Sequence, residues 1–225
     1  MCSRDPFLAD PAQLLMALHR QTLVAATVDG TLLNGAAPFA DDRTELSELI
    51  RPVALALAST HMLRELVDLQ ETIEHRGALI AEDGALLAYH DGWMGLKEGE
   101  LRLVRRRRLR LIPLATPDDG TAPTVSVRES GRGRAVHALL SLLRRRWRTL
   151  PPVVGLGSAA SDASLLAACD RRFILRDEHG TIDPALSAIP GATVLDRPGI
   201  AGWIEMLERL DVVHSVRSPR AELGA

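Results

Sequence analysis

Aromatic residues are nearly missing: three Phe, one Tyr and three Trp serve a chain of 225 residues in which 46% are hydrophobic. The core must therefore be aliphatic, built from Leu, Ala, Val and Ile, and the stacking side chains that single-stranded nucleic acid needs are in short supply. Cysteine is equally scarce. Cys2 and Cys169 supply neither a disulfide framework nor a zinc pattern, which fits a reducing compartment, and Cys169, in an alanine-rich apolar segment, reads as a small core residue. No apolar run approaches a membrane-spanning length, and the opening MCSRDPFLADPAQ carries acids and prolines where a signal peptide needs an unbroken apolar stretch. The expectation is a soluble, cytoplasmic protein with no membrane partner. An excess of positive charge is lacking too: the formal net charge of −2 argues against a general nucleic-acid binder, whose domain would be distinctly basic. The runs Arg105–Arg108 and Arg144–Arg146 are balanced by acids elsewhere and adjoined only by Trp147, so they read as solvated or subunit-facing basic edges.

What is present is an alternation of strands and helices, in a length sufficient for one α/β domain with an insertion. Continuous apolar runs at Thr22–Val28, Val53–Ala58 and Pro152–Leu156 predict strands buried on both faces, as a parallel sheet covered by helices requires. Ala78–Ala81, Phe173–Leu175 and Ala192–Val194 predict shorter ones. Helical spacing predicts helices over Pro11–Arg20, Thr44–Ile50, His61–Glu74, Ala135–Trp147, Ala163–Ala168 and Gly199–Leu210. Between them, residues 89–128 hold Gly, Pro, Asp and Thr clusters around LRLVRRRRLRLIPL and read as short strands and hairpins. The expected fold class is α/β, a Rossmann-like doubly wound parallel sheet carrying a small insertion.

Four short signals fall where such a sheet gathers the carboxyl ends of its strands, the usual ligand crevice. The first is TVDGTLL, where Asp29-Gly30-Thr31 ends the first strand with a carboxylate, a glycine and a hydroxyl. Ser59-Thr60, ending VALALA, is the second; it suits phosphate binding at a helix start and helix capping equally. The third is the cation pair Arg132 and Arg134 in SGRGRAV, suited to phosphate oxygens or to a solvated helix start. In VVGLGSAASDASLL, finally, Asp162 stands at a helix start, as a cap or beside a cation. His61, just after Ser59-Thr60, is the one histidine near the presumed site, with a surface helix position as the more common case, while Trp93 and Trp203 read as packing residues.

This order resembles the haloacid dehalogenase superfamily of phosphatases, with its D-x-D-G-T, Ser/Thr, Lys/Arg and G-D-x-x-x-D segments. The mannosyl-3-phosphoglycerate phosphatase type is similar in three further places: IAEDGALLAY, SGRGRAVHALL and DEHGTIDPALSAIPGATVLDRPGIAGWIEML. The resemblance spans most of residues 20–88 and 130–210. It implies a core made of residues 1–88 and 129–225, with residues 89–128 as a cap insertion of about half the usual length, a lid that would exclude water poorly. It also implies an aspartyl nucleophile, an acid/base aspartate two residues later and a magnesium ion. Carried over by position, Asp29 matches the acid/base, Gly30, Thr31, Ser59 and Thr60 the phosphate-binding segment, Arg132 the cation, and Asp29 and Asp162 the metal side.

Two positions break the pattern. Thr27 stands where the nucleophile is expected, and a neutral hydroxyl is a poor nucleophile without a base. Ser158 stands where a metal-binding aspartate is expected, so a hard cation that prefers carboxylate oxygens loses ligands at both; Ser161 replaces the usual Asn beside it. The reading is a phosphatase-like protein with a pocket for a phosphorylated small molecule, weak or no magnesium binding and no efficient catalysis. Its alternatives are a slow magnesium-dependent sugar-phosphate phosphomonoesterase and a non-catalytic interaction module.

Overall fold

The computed structural model describes residues 22–34, 37–38, 47–48, 50–51, 53–97, 99–104, 107–113, 131–147 and 149–212. The helix expected over Pro11–Arg20 and most of the one expected over Thr44–Ile50 lie outside these residues.

The described strands are β1 (Leu23–Thr27), β2 (Leu33–Asn34), β3 (Ala37–Pro38), β4 (Ala54–Ala58), β5 (Ala78–Ala81), β6 (Leu86–His90), β7 (Glu100–Val104), β8 (Arg107–Pro113), β9 (Val153–Gly157), β10 (Arg171–Arg176) and β11 (Ala192–Pro198). Helices follow as α1 (Leu63–Thr72), α2 (Arg132–Arg146), α3 (Ala163–Ala167), α4 (Pro184–Ser187) and α5 (Gly199–Arg209). Nine strands form one sheet in the order β11-β10-β9-β1-β4-β5-β6-β8-β7, and β2 pairs with β3 beside it. From β11 to β5 all neighbours are parallel. From β5 onward they are antiparallel.

The parallel strands run as the apolar segments dictate. Every residue of β1, β4, β5 and β9 is buried, and their side chains alternate between two aliphatic layers. Val24, Leu55, Leu57, Leu79 and Leu156 face α1 and α5, whose Leu66, Val67, Trp203 and Met206 cover them. Ala25, Ala56, Ile80 and Val153 face α2 and α3, through Ala135, Val136, Leu139 and Leu165. Each fully buried Leu or Ile contributes roughly 1.5–3 kcal/mol relative to exposure, so the sheet needs few aromatics. Trp203 is the exception with a second task, since its indole nitrogen donates to the Thr31 carbonyl at 3.0 Å and ties α5 to the turn after β1.

The insertion expected over residues 89–128 divides. Its described part, up to Pro113, lies in β6, the turn after it, β7 and β8, and these strands extend the core sheet: His90 pairs with Leu109, and Arg102 with the same residue from the other side. Residues 114–128 lie outside the description. The central consequence of the strand order concerns β1. The chain leaves it toward β4 on one side and returns beside it as β9 on the other, which opens a crevice at the carboxyl ends of β1, β4 and β9.

Candidate functional site

Three turns meet at this crevice. After β1 the chain turns at Gly30 (φ 71°), where a Cβ would lie 2.4 Å from Ser158 Oγ; glycine is required both by the backbone and by the approach of the β9 turn. After β4, Ser59 is buried and Thr60 exposed. After β9, Ala159, Ala160 and Ser161 form a short turn that returns Asp162 beneath Gly157, where a Cβ would stand 2.6 Å from the Asp162 Cβ.

Thr27 and Asp162 are each about 1% exposed. The Thr27 hydroxyl donates to Asp162 Oδ2 at 3.1 Å, and the amides of Ser158 and Ala159 donate to the same oxygen at 2.8 and 3.1 Å. The other oxygen is held by Arg132 Nη1 and by the Ser161 hydroxyl. Asp162 is thus a hub with no idle lone pair pointing to solvent. Arg132, 4% exposed, opens α2 and spans two carboxylates, because its Nε also donates to Asp83 Oδ1 at 2.9 Å. A buried guanidinium needs such partners, and a bidentate fork supplies them.

The turn bearing Asp83 is built for this contact. Asp83 itself has φ 54° and Gly84 has φ 88°, and a Cβ on Gly84 would come within 2.5 Å of the Gly131 carbonyl carbon and oxygen. Only glycine lets the turn after β5 lie against the start of α2.

Asp29 sits apart from this buried cluster. Its side chain is 47% exposed, its Oδ2 accepts the Ser59 hydroxyl at 3.0 Å, and its Oδ1 lies 3.0 Å from His61 Nε2. The His61 amide donates to Ser59 Oγ at 3.1 Å, and its Nδ1 lies 3.3 Å from Glu65 Oε2. Burial alone would lower the His61 pKa, but the Asp29 and Glu65 carboxylates outweigh it and raise the value above 6.5.

The sequence signals therefore meet at one crevice, where hydrogen bonds within the protein hold them. Thr31 is buried and its hydroxyl donates to the Thr27 carbonyl; the Gly30 and Thr31 amides donate to Leu33 and Val28 carbonyls. Ser158 Oγ donates to the Asp29 carbonyl at 3.3 Å. Arg134 is exposed while Arg132 is buried, so the two arginines do not act as a pair. One participant was missed: Asp83, whose signal was an acid directly after a strand ending at the same edge; His61, two residues after Ser59, is brought to the site it was read as adjoining.

A magnesium ion does not fit this donor set. Both Asp162 oxygens are engaged, a guanidinium lies against that carboxylate, and the Asp29 carbonyl already accepts from Ser158. Among the described residues, no group of three His, Cys, Asp or Glu side chains is arranged to hold a metal.

Solved structures share the architecture. A haloacid dehalogenase-like hydrolase from Bacillus subtilis superposes with a TM-score of 0.54 at 12% identity, covering 89% of this chain and 98% of that one. The fold is haloacid dehalogenase-like. A sucrose-phosphatase from Synechocystis, in complex with sucrose and phosphate, gives 0.51 at 12% identity over 85% and 98% of the two chains. The cobalt-bound deoxy-D-mannose-octulosonate 8-phosphate phosphatase from Haemophilus influenzae gives 0.50 at 13% identity over 90% and 95%. No protein-family model and no curated protein matches the chain.

Proposed function

We propose that this chain is a phosphatase-like protein, akin to the mannosyl-3-phosphoglycerate phosphatase type, that binds a phosphorylated small molecule without efficient hydrolysis. The observation that carries this reading is the closure of Thr27, Asp162 and Arg132 on one another. A covalent phosphoryl enzyme needs an anionic oxygen aimed at phosphorus. Here the oxygen is a neutral hydroxyl whose proton points to Asp162, and no carboxylate stands in its place.

Recognition of a phosphate has two sources of positive charge at the crevice. Protonated His61, with its side chain 40% exposed, faces the mouth. Arg132 becomes available if the phosphate takes the place of Asp83, whose side chain is 42% exposed and holds Arg132 by a hydrogen bond at 2.9 Å; Asp162, buried behind it, stays in place. Such an exchange trades one charge-assisted hydrogen bond for another. The likeness to a sucrose-phosphatase fold is consistent with a phosphorylated ligand of this class.

The test is paired. Phosphate release from a panel of hexose phosphates is measured with magnesium, and binding of inorganic phosphate and of the same esters is measured by NMR shifts at residues 29–31, 59–62, 83 and 132. The reading expects binding shifts without turnover. Shifts absent throughout favour a non-catalytic interaction module and overturn it.

A second reading rests on the exposed Asp29 and its 3.0 Å contact with His61. That pair can take a proton from water as the water attacks phosphorus directly, and return it to the leaving oxygen as the P–O bond breaks and the alcohol departs. Slow turnover lost in Asp29→Asn would mark it.

A further inference from the structure

At the opposite edge of the sheet, the amino ends of β10 and β11 border a cavity of about 290 Å³. Its lining includes Arg171, Arg172, Phe173, Gly191, Thr193 and Arg209, with Asp170 as its acid. The sheet register pairs Phe173 with Thr193 and Arg172 with Ala192, so strand alternation places Arg171 on the Phe173 side and Arg172 on the other.

The arginines differ in how they are satisfied. Arg209 is neutralised by Glu205 at 2.6 Å and by Asp196 at 3.3 Å. Arg172 donates to the carbonyls of Leu166, Cys169 and Pro190, at 3.0, 3.2 and 2.7 Å. Arg171 donates to the Arg209 carbonyl at 3.2 Å and lies 5.7 Å from the Phe173 ring centroid. Carbonyls and a ring face hold a guanidinium in place and leave its charge uncancelled. Asp170 spends one oxygen on the Val153 amide at 2.9 Å. Asp170 therefore keeps its charge and offsets one of these two guanidiniums, so with Arg209 neutralised the lining holds one uncancelled positive charge on a fixed fork. The mouth is open beside Gly191 (φ 70°), where a Cβ would meet Arg172 Nη1 at an ordinary contact distance of 3.9 Å.

We propose that this cavity is a second binding site, for a small dianion such as a phosphate ester or a polycarboxylate, gripped chiefly by Arg171 on the face it shares with Phe173 and Thr193, with Arg172 bordering the cavity from the other side of β10. Planar guanidinium forks match both oxyanions bidentately, and the volume, at the low end of the roughly 300–1,000 Å³ of small-molecule pockets, suits an anion with a few carbons. The inference is independent of the crevice at the carboxyl ends.

The experiment is a ¹H–¹⁵N NMR titration of the full chain with glucose 6-phosphate, with citrate and with potassium chloride at matched ionic strength, repeated for Arg171→Gln and Thr193→Asp. Saturable shifts of the amides of 171–173 and 191–193 with either dianion are expected, weakened about tenfold or more in each variant. The ester or the citrate, whichever saturates first, names the source. Wild-type shifts that fail to saturate, that chloride reproduces, that survive both variants unchanged, or that fall only at 29–31 and 59–62 would overturn the proposal.

Discussion

Thr27 donates its hydroxyl hydrogen to Asp162 at 3.1 Å, and Arg132 holds the opposite oxygen of the same carboxylate. The arginine and the carboxylate offset each other's charge inside the protein, and on the proposed reading these groups serve stability in place of presenting charge to a ligand.

The Asp162 hub should dominate that stability. Asp162→Ala strands a buried guanidinium and leaves the Ser158 and Ala159 amides without their acceptor, a loss of about 3–5 kcal/mol. Urea denaturation reads it directly; a loss under about 1 kcal/mol would show that the cluster is loosely held.

Gly84 should be nearly as sensitive. Its positive φ and the 2.5 Å approach to Gly131 make Gly84→Ala strained and overpacked together, a cost of about 2–4 kcal/mol. A variant that melts with the wild type would contradict the close packing of this turn on α2.

Much of this frame was legible in the sequence. Leu23–Thr27, Ala54–Ala58 and Ala78–Ala81 follow their apolar runs to within a residue, because a strand buried on both faces must be apolar throughout. Leu86–His90 was legible only as part of a motif. An antiparallel edge strand gains its place from pairing with Ala78–Ala81, a non-local fact with no period of its own. In the crevice, position along the chain marked Thr27, Asp29, Ser59, Arg132 and Asp162, yet not their hydrogen bonds. Whether Asp162 faces a cation or an arginine depends on Asp83 and the turn that presents it.

His61 should titrate against its two carboxylates. Its folded pKa is raised above 6.5, so its stabilising contribution is full below the unfolded value and is lost as pH rises through the folded one. With the side chain 40% exposed, the energy is small, and the clean readout is the imidazole NMR titration. Asp29→Asn should lower the measured pKa; an unchanged value would remove the Asp29 contact from the account.

His75 should act in the opposite sense. Its Nε2 is buried with no hydrogen-bond partner among the described residues, and burial lowers its pKa from 6.5 to about 4. Across that window the unfolded chain binds the proton more tightly, so stability is full above 6.5 and falls as pH drops toward 4, by about 3 kcal/mol in all. His75→Gln should flatten the pH dependence of the urea midpoint between pH 6.5 and 4.5. An identical slope in the variant would place the acid sensitivity elsewhere.

In the proposed function the Thr27–Asp162–Arg132 closure stands where phosphoryl-enzyme chemistry would occur. Phosphate release from hexose phosphates with magnesium tests this, for the wild type, Asp29→Asn, and Thr27→Asp combined with Ser158→Asp. Wild-type release should stay at the buffer background, unchanged in Asp29→Asn, with any gain confined to the double variant. Wild-type turnover of about 1 s⁻¹ or faster, within the ordinary enzyme range, and abolished in Asp29→Asn, would contradict it.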